Sequence, residues 1–258
     1  MGAALPEVAD LAGGGLVTLE RARLLAGDLD APAPGTDAKL TLYAGRGDDP
    51  RALVEVLRRH GAAGATVLRG VDGTPHGKRR RARLLGRNAG VPSLVVSVGG
   101  GEAIARALPE LGQRLGRPLA TLERATILDG AAPPGGDGWT KLTLYAGGGA
   151  AAGAAVRRLR EAGAAGATVL RGTWGYRGDH PPHGDRLLAL RRDVPAVTVC
   201  VDAPERAARW AELLRPLAGP DALLTAEHVP AYRATGPRIR RGELRLDAVD
   251  PGPPRSTP

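Results

Sequence analysis

The sequence predicts an α+β protein of two tandem ferredoxin-like modules, each with the element order βαββαβ. The chain repeats itself: KLTLYAG occurs at Lys39–Gly45 and at Lys141–Gly147, and GAAGATVLRG at Gly61–Gly70 and at Gly163–Gly172. Both pairs are 102 residues apart. This period is too long for a solenoid and is typical of a small globular domain. Within each copy, strand-like and helix-like apolar patterns follow one another in the same order.

The front half of each copy predicts a strand, a helix and a second strand. The predicted strands are Lys39–Ala44, Ala65–Arg69, Lys141–Ala146 and Ala167–Arg171, and the helices are Pro50–His60 and Ala150–Ala162. The first helix places an apolar face on one side, formed by Leu53, Val54, Val56 and Leu57. Gly61 and Gly163 follow the two helices, where a C-terminal glycine is expected.

The back half of each copy predicts a long loop, a strand, a helix and a last strand. The loops are 70–90 and 172–193, the strands Val91–Val98 and Val194–Val201, the helices 102–115 and 204–217, and the last strands 118–128 and 222–229. Two helices on one face of a four-stranded antiparallel sheet make a ferredoxin-like sandwich.

A partial third copy begins the chain. ALPE at Ala4–Glu7 recurs at Ala107–Glu110, and LVTLERARLL from Leu16 recurs as LATLERATIL from Leu119. Residues 1–25 are therefore predicted to be the last helix and strand of a truncated module. Either the true start lies upstream, which we favour, or the fragment pairs with an exposed sheet edge. The remaining predicted boundaries are linkers at 26–38 and 129–138, modules at 39–128 and 139–230, and a basic, partly disordered tail at 231–258.

Composition limits the function classes. The 258 residues carry a formal charge of +9 and 3% aromatic residues. Nearly all the basic residues are Arg, beside abundant Ala, Gly and Pro, which is the signature of a GC-rich genome, so nucleic-acid binding is not favoured. The single Cys200 excludes an intrachain disulfide and is expected to be buried. The chain has neither a membrane-length apolar run nor a signal peptide, and we expect a cytoplasmic location.

Catalytic constellations are not evident. The chain has no GxSxG, HExxH or Cys–His arrangement, so we do not expect an enzyme. Asp193 and Asp202 are interpreted as turn residues. His180, His183 and Asp185 are too weak a set to predict a metal site. One glutamate recurs in the last strand of all three copies, as TLE, TLE and TAE, and a solvent-facing strand residue explains it. These glutamates are Glu20, Glu123 and Glu227.

The long loops are the candidate interaction sites, because loops of this length in a compact domain are usually functional or disordered. Both contain Pro-His-Gly; the first continues as KRRRAR and the second carries TWGYRGDH. Basic, Gly-rich loops can gather phosphate oxygens. The predicted loop contacts with a partner are His76, Lys78, Arg79, Arg80, Arg81, Trp174, Gly175, Tyr176 and His183.

The sequence resembles the bacterial domain-of-unknown-function family 190, which belongs with the PII-like proteins. The resemblance is carried by KLTLYAG, GAAGATVLRG, the Gly-rich loop with His, and DVPAVTVCVD. The resemblance covers both modules and the N-terminal fragment. It implies a trimer-forming ferredoxin-like domain that binds small anionic effectors, often adenine nucleotides, in clefts between modules, with a loop that changes order on binding. By position, the residues implied to line the cleft or to open the loop are Gly64, Ala65, Thr66, Arg69, Gly70, Gly166, Ala167, Thr168, Arg171 and Gly172.

Under this resemblance we expect a non-catalytic sensor of a small anionic ligand, possessing no cofactor beyond an adenine nucleotide as effector. It would regulate a target such as a membrane channel or transporter, as a homo-oligomer or a pseudo-trimer of modules. The first copy departs from the second at the loop, with Asp72-Gly73-Thr74 in place of Trp174-Gly175-Tyr176. Two alternatives remain open: a structural or interaction module without a small ligand, and an Arg-rich nucleic-acid-binding protein.

Overall fold

The computed structural model describes residues 4–12, 15–26, 32–45, 47–73, 80–82, 91–116, 119–184, 195–217, 219, 222–236 and 239–241. The helices in this part of the chain are α1 Ala4–Leu11, α2 Pro50–Arg59, α3 Gly101–Arg114, α4 Gly149–Glu161 and α5 Pro204–Leu214. The strands before the second linker are β1 Leu16–Leu19, β2 Arg23–Ala26, β3 Asp37–Ala44, β4 Gly64–Arg69, β5 Asp72–Gly73, β6 Arg80–Arg81, β7 Ser93–Gly100, β8 Leu119–Arg124 and β9 Thr126–Ile127. The later strands are β10 Trp139–Gly147, β11 Ala167–Arg177, β12 His183–Gly184, β13 Pro195–Asp202, β14 Leu223–Val229, β15 Ala231–Gly236 and β16 Ile239–Arg241.

Each repeat folds as a ferredoxin-like module, which confirms the predicted fold class. The first has the antiparallel strand order β8–β3–β7–β4 and the second the matching order β14–β10–β13–β11. Helices α2 and α3 cover the first sheet, and α4 and α5 cover the second. In both modules the first strand pairs with the last, and this register sets Lys39 opposite Glu123 and Lys141 opposite Glu227.

Local signals explain where the helices begin and end. Helix α2 starts at Pro50, and the carboxylate of the preceding Asp49 accepts a hydrogen bond from the Arg51 backbone N–H at 3.0 Å. Capping in this way satisfies a donor that the helix itself cannot pair. The chain leaves the helix through Gly61, whose φ of +84° is unfavourable for residues with a Cβ. Gly163 follows α4 with φ +83°, so the predicted glycine positions are confirmed.

Leucine and alanine make up most of both cores, with valine added in the first. The predicted apolar face of α2 is buried in the first core, and Trp210 is the largest side chain buried in the second. Cys200 lies in the second core, as expected. Burial, and then the carboxylate of Asp202, raise the pKa of this thiol to about 12, so it stays protonated at neutral pH.

The two modules share one continuous sheet. Strand β11 pairs with β13 through Ala167–Arg171 and then with β4 of the first module through Gly172–Arg177. The predicted strand ended at Arg171 and gave the following residues to a loop, which is wrong for Gly172–Arg177. Gly175 makes the pairing possible, because a Cβ there would lie 2.3 Å from the Ala65 carbonyl oxygen.

The last strands connect the modules in a cycle. After β8, the chain crosses to the second module, where β9 pairs with β14. The N-terminal segment repeats this geometry, because β2 follows β1 and pairs with β8. Strand β15 follows β14 and pairs in turn with β1. Strands β1 and β2 therefore pair as the last strand of a module and the crossing strand after it do elsewhere in the chain. In the predicted tail, Ala231–Gly236 and Ile239–Arg241 form strands.

Within the described residues, the helices are too short or too polar to cross a bilayer.

Candidate functional site

The recurring glutamates meet at the centre of the cycle. One carboxylate oxygen from each of Glu20, Glu123 and Glu227 lies within 4.8 Å of the others. Glu227 is buried, and the side chains of Glu123 and Glu20 are largely shielded. The interpretation of these residues as solvent-facing is therefore wrong. The face of the sheet that carries them points at the neighbouring modules rather than at water.

Two buried lysines from the first strands lie among the three carboxylates. Lys39 Nζ contacts Glu123 and Glu227 and lies 3.9 Å from Glu20. Lys141 Nζ contacts Glu20 and lies 2.8 Å from Glu227. Each ammonium thus joins the glutamate of its own module to the glutamate of a neighbour. We call these five residues the axial cluster.

The charged groups of the axial cluster shift one another's pKa values. Burial alone would lower the pKa of Lys39, but Glu227 and Glu123 raise it above its ordinary value. Burial alone would raise the pKa of Glu20, but Lys141 and then Lys39 hold it below its ordinary value. The pKa of Glu123 is raised, because burial outweighs the attraction of Lys39.

Three carboxylates at this spacing are also a group that a metal ion could use. Both lysine ammonium groups, however, already contact the same oxygens, and a cation would have to displace them. The axial cluster is therefore an ion-pair site that connects three parts of the chain.

A cavity of about 610 Å³ adjoins the axial cluster at Glu227. Its walls come from the N-terminal segment, the end of the first module, the linker and the second module. The lining residues are Arg21, Arg23, Leu122, Arg124, Thr126, Pro134, Gly135, Gly136, Asp137, Thr140, Pro204, Ala226, Glu227, His228 and Pro230. We call this cavity the basic cleft.

Repeat geometry explains the charge of the basic cleft. Arg21, Arg124 and His228 each directly follow the glutamate of the axial cluster in their own copy, so the cycle brings all three to one cavity. Arg23 adds a third guanidinium. His228 Nε2 lies 2.8 Å from the Asp137 carbonyl oxygen, which holds the linker against β14. The basic cleft therefore gathers three guanidinium groups beside the carboxylates of Asp137 and Glu227, with the glycine backbone of the linker in the same lining.

The predicted ligand-binding residues lie elsewhere. None of the ten is among the lining residues of the basic cleft. Gly64, Ala65 and Thr66 are buried in β4, where Arg177, Tyr176 and Gly175 of β11 pair with them. In the second module, Gly166 and Ala167 are half-buried and Thr168 is exposed. Arg69 and Arg171 are exposed, with a glycine after each. Ligand binding at these positions stays a prediction.

The aromatic residues of the second loop already have an intrachain contact. Trp174 packs against the first core, and the Arg51 guanidinium lies 4.4 Å from its ring centroid. Tyr176 is buried in that core, and its hydroxyl donates to the Ala62 carbonyl oxygen at 3.0 Å. Together with Gly175 in the β4 ladder, they attach the second module to the first.

The structure says less about the other loop residues that were predicted to contact a partner. His183 lies in β12, half-buried, with Nδ1 3.3 Å from the Pro181 carbonyl oxygen. Arg80 and Arg81 form β6, and Arg81 is exposed. His76, Lys78 and Arg79 lie outside the described residues, so their role stays a prediction.

The aspartates considered as turn residues or ligands are also placed. Asp202 ends β13 and is buried, and its carboxylate accepts from Trp210 Nε1 at 3.0 Å and from the Ala203 backbone N–H at 3.0 Å. It anchors the start of α5. Asp185 and Asp193 lie outside the described residues.

A comparison with protein families matches both modules. The model of DUF190, described as "Uncharacterized ACR, COG1993", matches residues 42–127 and again 141–231. The chain belongs to the DUF190 family. The predicted resemblance is confirmed, and with it the tandem arrangement within the PII-like superfamily. In this DUF190 protein, the matched ranges include Glu123, Glu227, Arg124 and both copies of the Gly-Ala-Thr strand.

Sequence reasoning noticed the recurrent glutamates but missed their role. The signal that could have found it is the joint recurrence of a lysine in the first strand and a glutamate in the last strand, two strands that are neighbours in this fold. The two copies of that pair and the third glutamate, Glu20, converge only if the modules surround an axis. The basic cleft has the same signal, since Arg21, Arg124 and His228 follow those glutamates.

Proposed function

We propose that this DUF190 protein is a non-catalytic, PII-like effector-binding protein that takes a small anionic ligand in the basic cleft. One observation carries the proposal: three guanidinium groups from two separate copies, those of Arg21, Arg23 and Arg124, line one cavity of about 610 Å³. Guanidinium groups form charge-assisted hydrogen bonds with phosphate and carboxylate oxygens, so a bound anion would contact several of them at once.

The shape of the basic cleft favours a ligand of nucleotide size. Small-molecule sites have volumes of roughly 300–1,000 Å³. Guanidinium groups bind phosphate oxygens in a fork geometry, and the backbone N–H groups of Gly135 and Gly136, which line the same cavity, are suited to donate to such oxygens. Leu122, Ala226 and Pro230 supply an apolar wall for a base or another flat group. An adenine nucleotide is the first candidate.

Binding of an anion in the basic cleft would affect how the modules are joined to one another. The lining comes from the N-terminal segment, both modules and the linker, so a bound anion bridges all of them. A ligand that prefers the joined arrangement shifts the population toward it. The long loops emerge from strands in the same continuous sheet, and a change in their order would alter their fit to a target. A membrane channel or transporter is the kind of target proposed.

Thermal unfolding at fixed salt tests the ligand. The probes are ATP, ADP, AMP, cyclic nucleotides, bicarbonate and fluoride. A ligand at 100 times its Kd adds about 2.7 kcal/mol of stability, a shift of roughly 5–11 °C for a chain of this size. Arg124→Ala should abolish the shift, while Arg58→Ala, on the exposed surface of α2, should keep it.

The possible outcomes separate the function classes. Loss of the shift in Arg124→Ala alone supports an anion in the basic cleft. A shift that survives Arg124→Ala but disappears in Thr168→Ala or Arg171→Ala moves the site to the loop base. Stability unchanged by every probe contradicts the sensor and leaves a structural module. Binding to duplex DNA with a steep salt dependence would favour the nucleic-acid alternative.

A further inference from the structure

The linkers that precede the two modules make different contacts. In the first module, the Gly101 backbone N–H at the start of α3 donates to the Thr36 carbonyl oxygen at 2.7 Å. The Gly35 backbone N–H donates to Glu102 Oε1 at 3.0 Å. These two hydrogen bonds fix the first linker on the N-terminal end of α3.

The second module cannot repeat the first of these bonds. Counted from the lysine that each sheet pairs, β3 with β7 and β10 with β13, Gly101 is equivalent to Pro204 at the start of α5. Proline has no backbone N–H to donate, and it carries a Cβ. A Cβ on Gly101 would lie 2.6 Å from the Ala33 carbonyl oxygen and 2.9 Å from the Thr36 carbonyl oxygen. A linker placed as in the first module would therefore lose its donor and clash with Pro204.

The second linker is held against β14 instead. His228 Nε2 lies 2.8 Å from the Asp137 carbonyl oxygen. Gly138 has a φ of +91°, and a Cβ there would lie 3.1 Å from the Val229 carbonyl oxygen and 3.0 Å from His228 Nε2. The glycine that permits close contact thus belongs to the helix in the first module and to the linker in the second.

This difference determines where the basic cleft lies. The second linker lines the cleft from Pro134 to Asp137, and Pro204 lines it too. The equivalent stretch of the first linker lies directly against α3, where Pro32 Cβ would be 3.5 Å from a Cβ on Gly101. Linker and helix are therefore in contact in the first module at the place where the second module has the cavity.

We propose that Pro204 and His228 are positioning residues that hold the second linker away from α5, so that each chain binds one small anion rather than one in each module. The guanidinium groups fit this count, because Arg21, Arg23 and Arg124 line the cleft at the second module. The count rests on the proposed function, whereas the position of the linker does not and is measured without a ligand.

Two matched variants test the position of the linker. Pro204→Gly/His228→Ala introduces a backbone N–H at 204 without a Cβ, and Pro204→Ala/His228→Ala introduces the N–H but keeps a Cβ. Amide hydrogen exchange at 204, corrected for intrinsic rates, should be at least tenfold slower in the glycine variant, because its N–H can donate to the Gly138 carbonyl oxygen. Equal exchange at 204, with exchange at 64–68 as in the parent, overturns the role of Pro204.

Titration calorimetry with ATP tests the count. We expect one site per chain in the parent, and at least tenfold weaker binding to Pro204→Gly/His228→Ala than to Pro204→Ala/His228→Ala. The shared His228→Ala cancels in this comparison. Two sites per chain, or equal affinities of the two variants, overturn the proposal.

Failure of the proposed function gives a different result. Inorganic pyrophosphate serves as the second probe, because it offers phosphate oxygens without a base. Binding of neither probe to the parent contradicts the anion site and with it the count of one. Exchange at 204 then still decides whether Pro204 holds the linker away from α5.

Discussion

The axial cluster places five charged side chains of three sequence segments in one shielded volume. Charges removed from water are costly unless each has a partner, and removing one partner costs more than the pair contributes. The cluster therefore couples the folding of the N-terminal segment to that of both modules. Its members differ in how many opposite charges they contact, so substitutions of different members should have different effects on stability.

Within the axial cluster, we expect substitution of Lys39 to destabilise the protein most. Its ammonium contacts Glu123 and Glu227, and its side chain is largely buried. We expect Lys39→Met to lower the free energy of unfolding by about 3–5 kcal/mol, because three carboxylates would face one ammonium. Urea denaturation measures the loss. The double variant Lys39→Met/Glu123→Gln should recover part of it, and strict additivity of the two substitutions would contradict a shared cluster.

Substitution of Glu123 should have the opposite effect on stability to substitution of Lys39. Its pKa is raised in the folded state, so its ionised form opposes folding, and this penalty disappears as the pH falls through the folded pKa. Glu123→Gln should thus be at least as stable as the parent at pH 7, with the difference shrinking toward pH 5. Glu20 has a lowered pKa and loses its contribution only below its ordinary value of 4.5. Thermal unfolding between pH 5 and 8 measures the effect, and a difference that grows on acidification would contradict it.

Alternation alone could not reveal this cluster. Lys39 and Glu123 each stand in a strand whose polar residues face one side, and the sequence does not say whether that side meets water or another module. An apolar face packs against the core of its own module whether or not another module is near, which is why the predicted core face of α2 is correct.

Among the secondary-structure elements, β11 shows how the length of a strand can depend on another module. Its first half pairs within its own sheet and its second half pairs with β4. Local patterns predicted Ala167–Arg171 because those residues alternate, whereas the following residues contain Gly172 and Gly175, which usually weaken a strand. The partner strand overrides that preference, so the extension was beyond prediction from a local pattern.

Gly175 is the test of this pairing. A Cβ there would lie 2.3 Å from the Ala65 carbonyl oxygen, which is backbone and cannot move without disturbing β4. Gly175→Ala should cost about 1–3 kcal/mol or more and speed hydrogen exchange at 64–68. Gly166→Ala is the matched control, because a Cβ at Gly166 meets nothing within 4 Å. Equal effects of the two substitutions would count against the close approach.

For the whole molecule, the repeat predicted how many modules there are but not how they are joined. The helix and strand order came from periodicity, and the family match agrees with it. The cycle of last strands, β2 on β8, β9 on β14 and β15 on β1, depends on where each chain segment turns after its glutamate. Short connections direct those crossings: Ala125, Pro230 and residues 20–22. The sequence does not identify which strand each crossing reaches.

This cycle predicts that the linker is dispensable for association. The ladder of Gly172–Arg177 on β4, the β9–β14 pair and the β1–β15 pair all join residues on opposite sides of the linker. A protease site inserted between Gly130 and Pro133 lies before the linker residues that line the basic cleft. After complete cleavage, the two fragments should co-elute at micromolar concentration on size exclusion, because the intrachain interface keeps its apolar anchors Trp174 and Tyr176. Gly175→Ala in the cleaved protein should weaken that association. Separation of the fragments in the parent sequence would mean that the covalent linker, rather than the shared sheet and the axial cluster, holds the modules together.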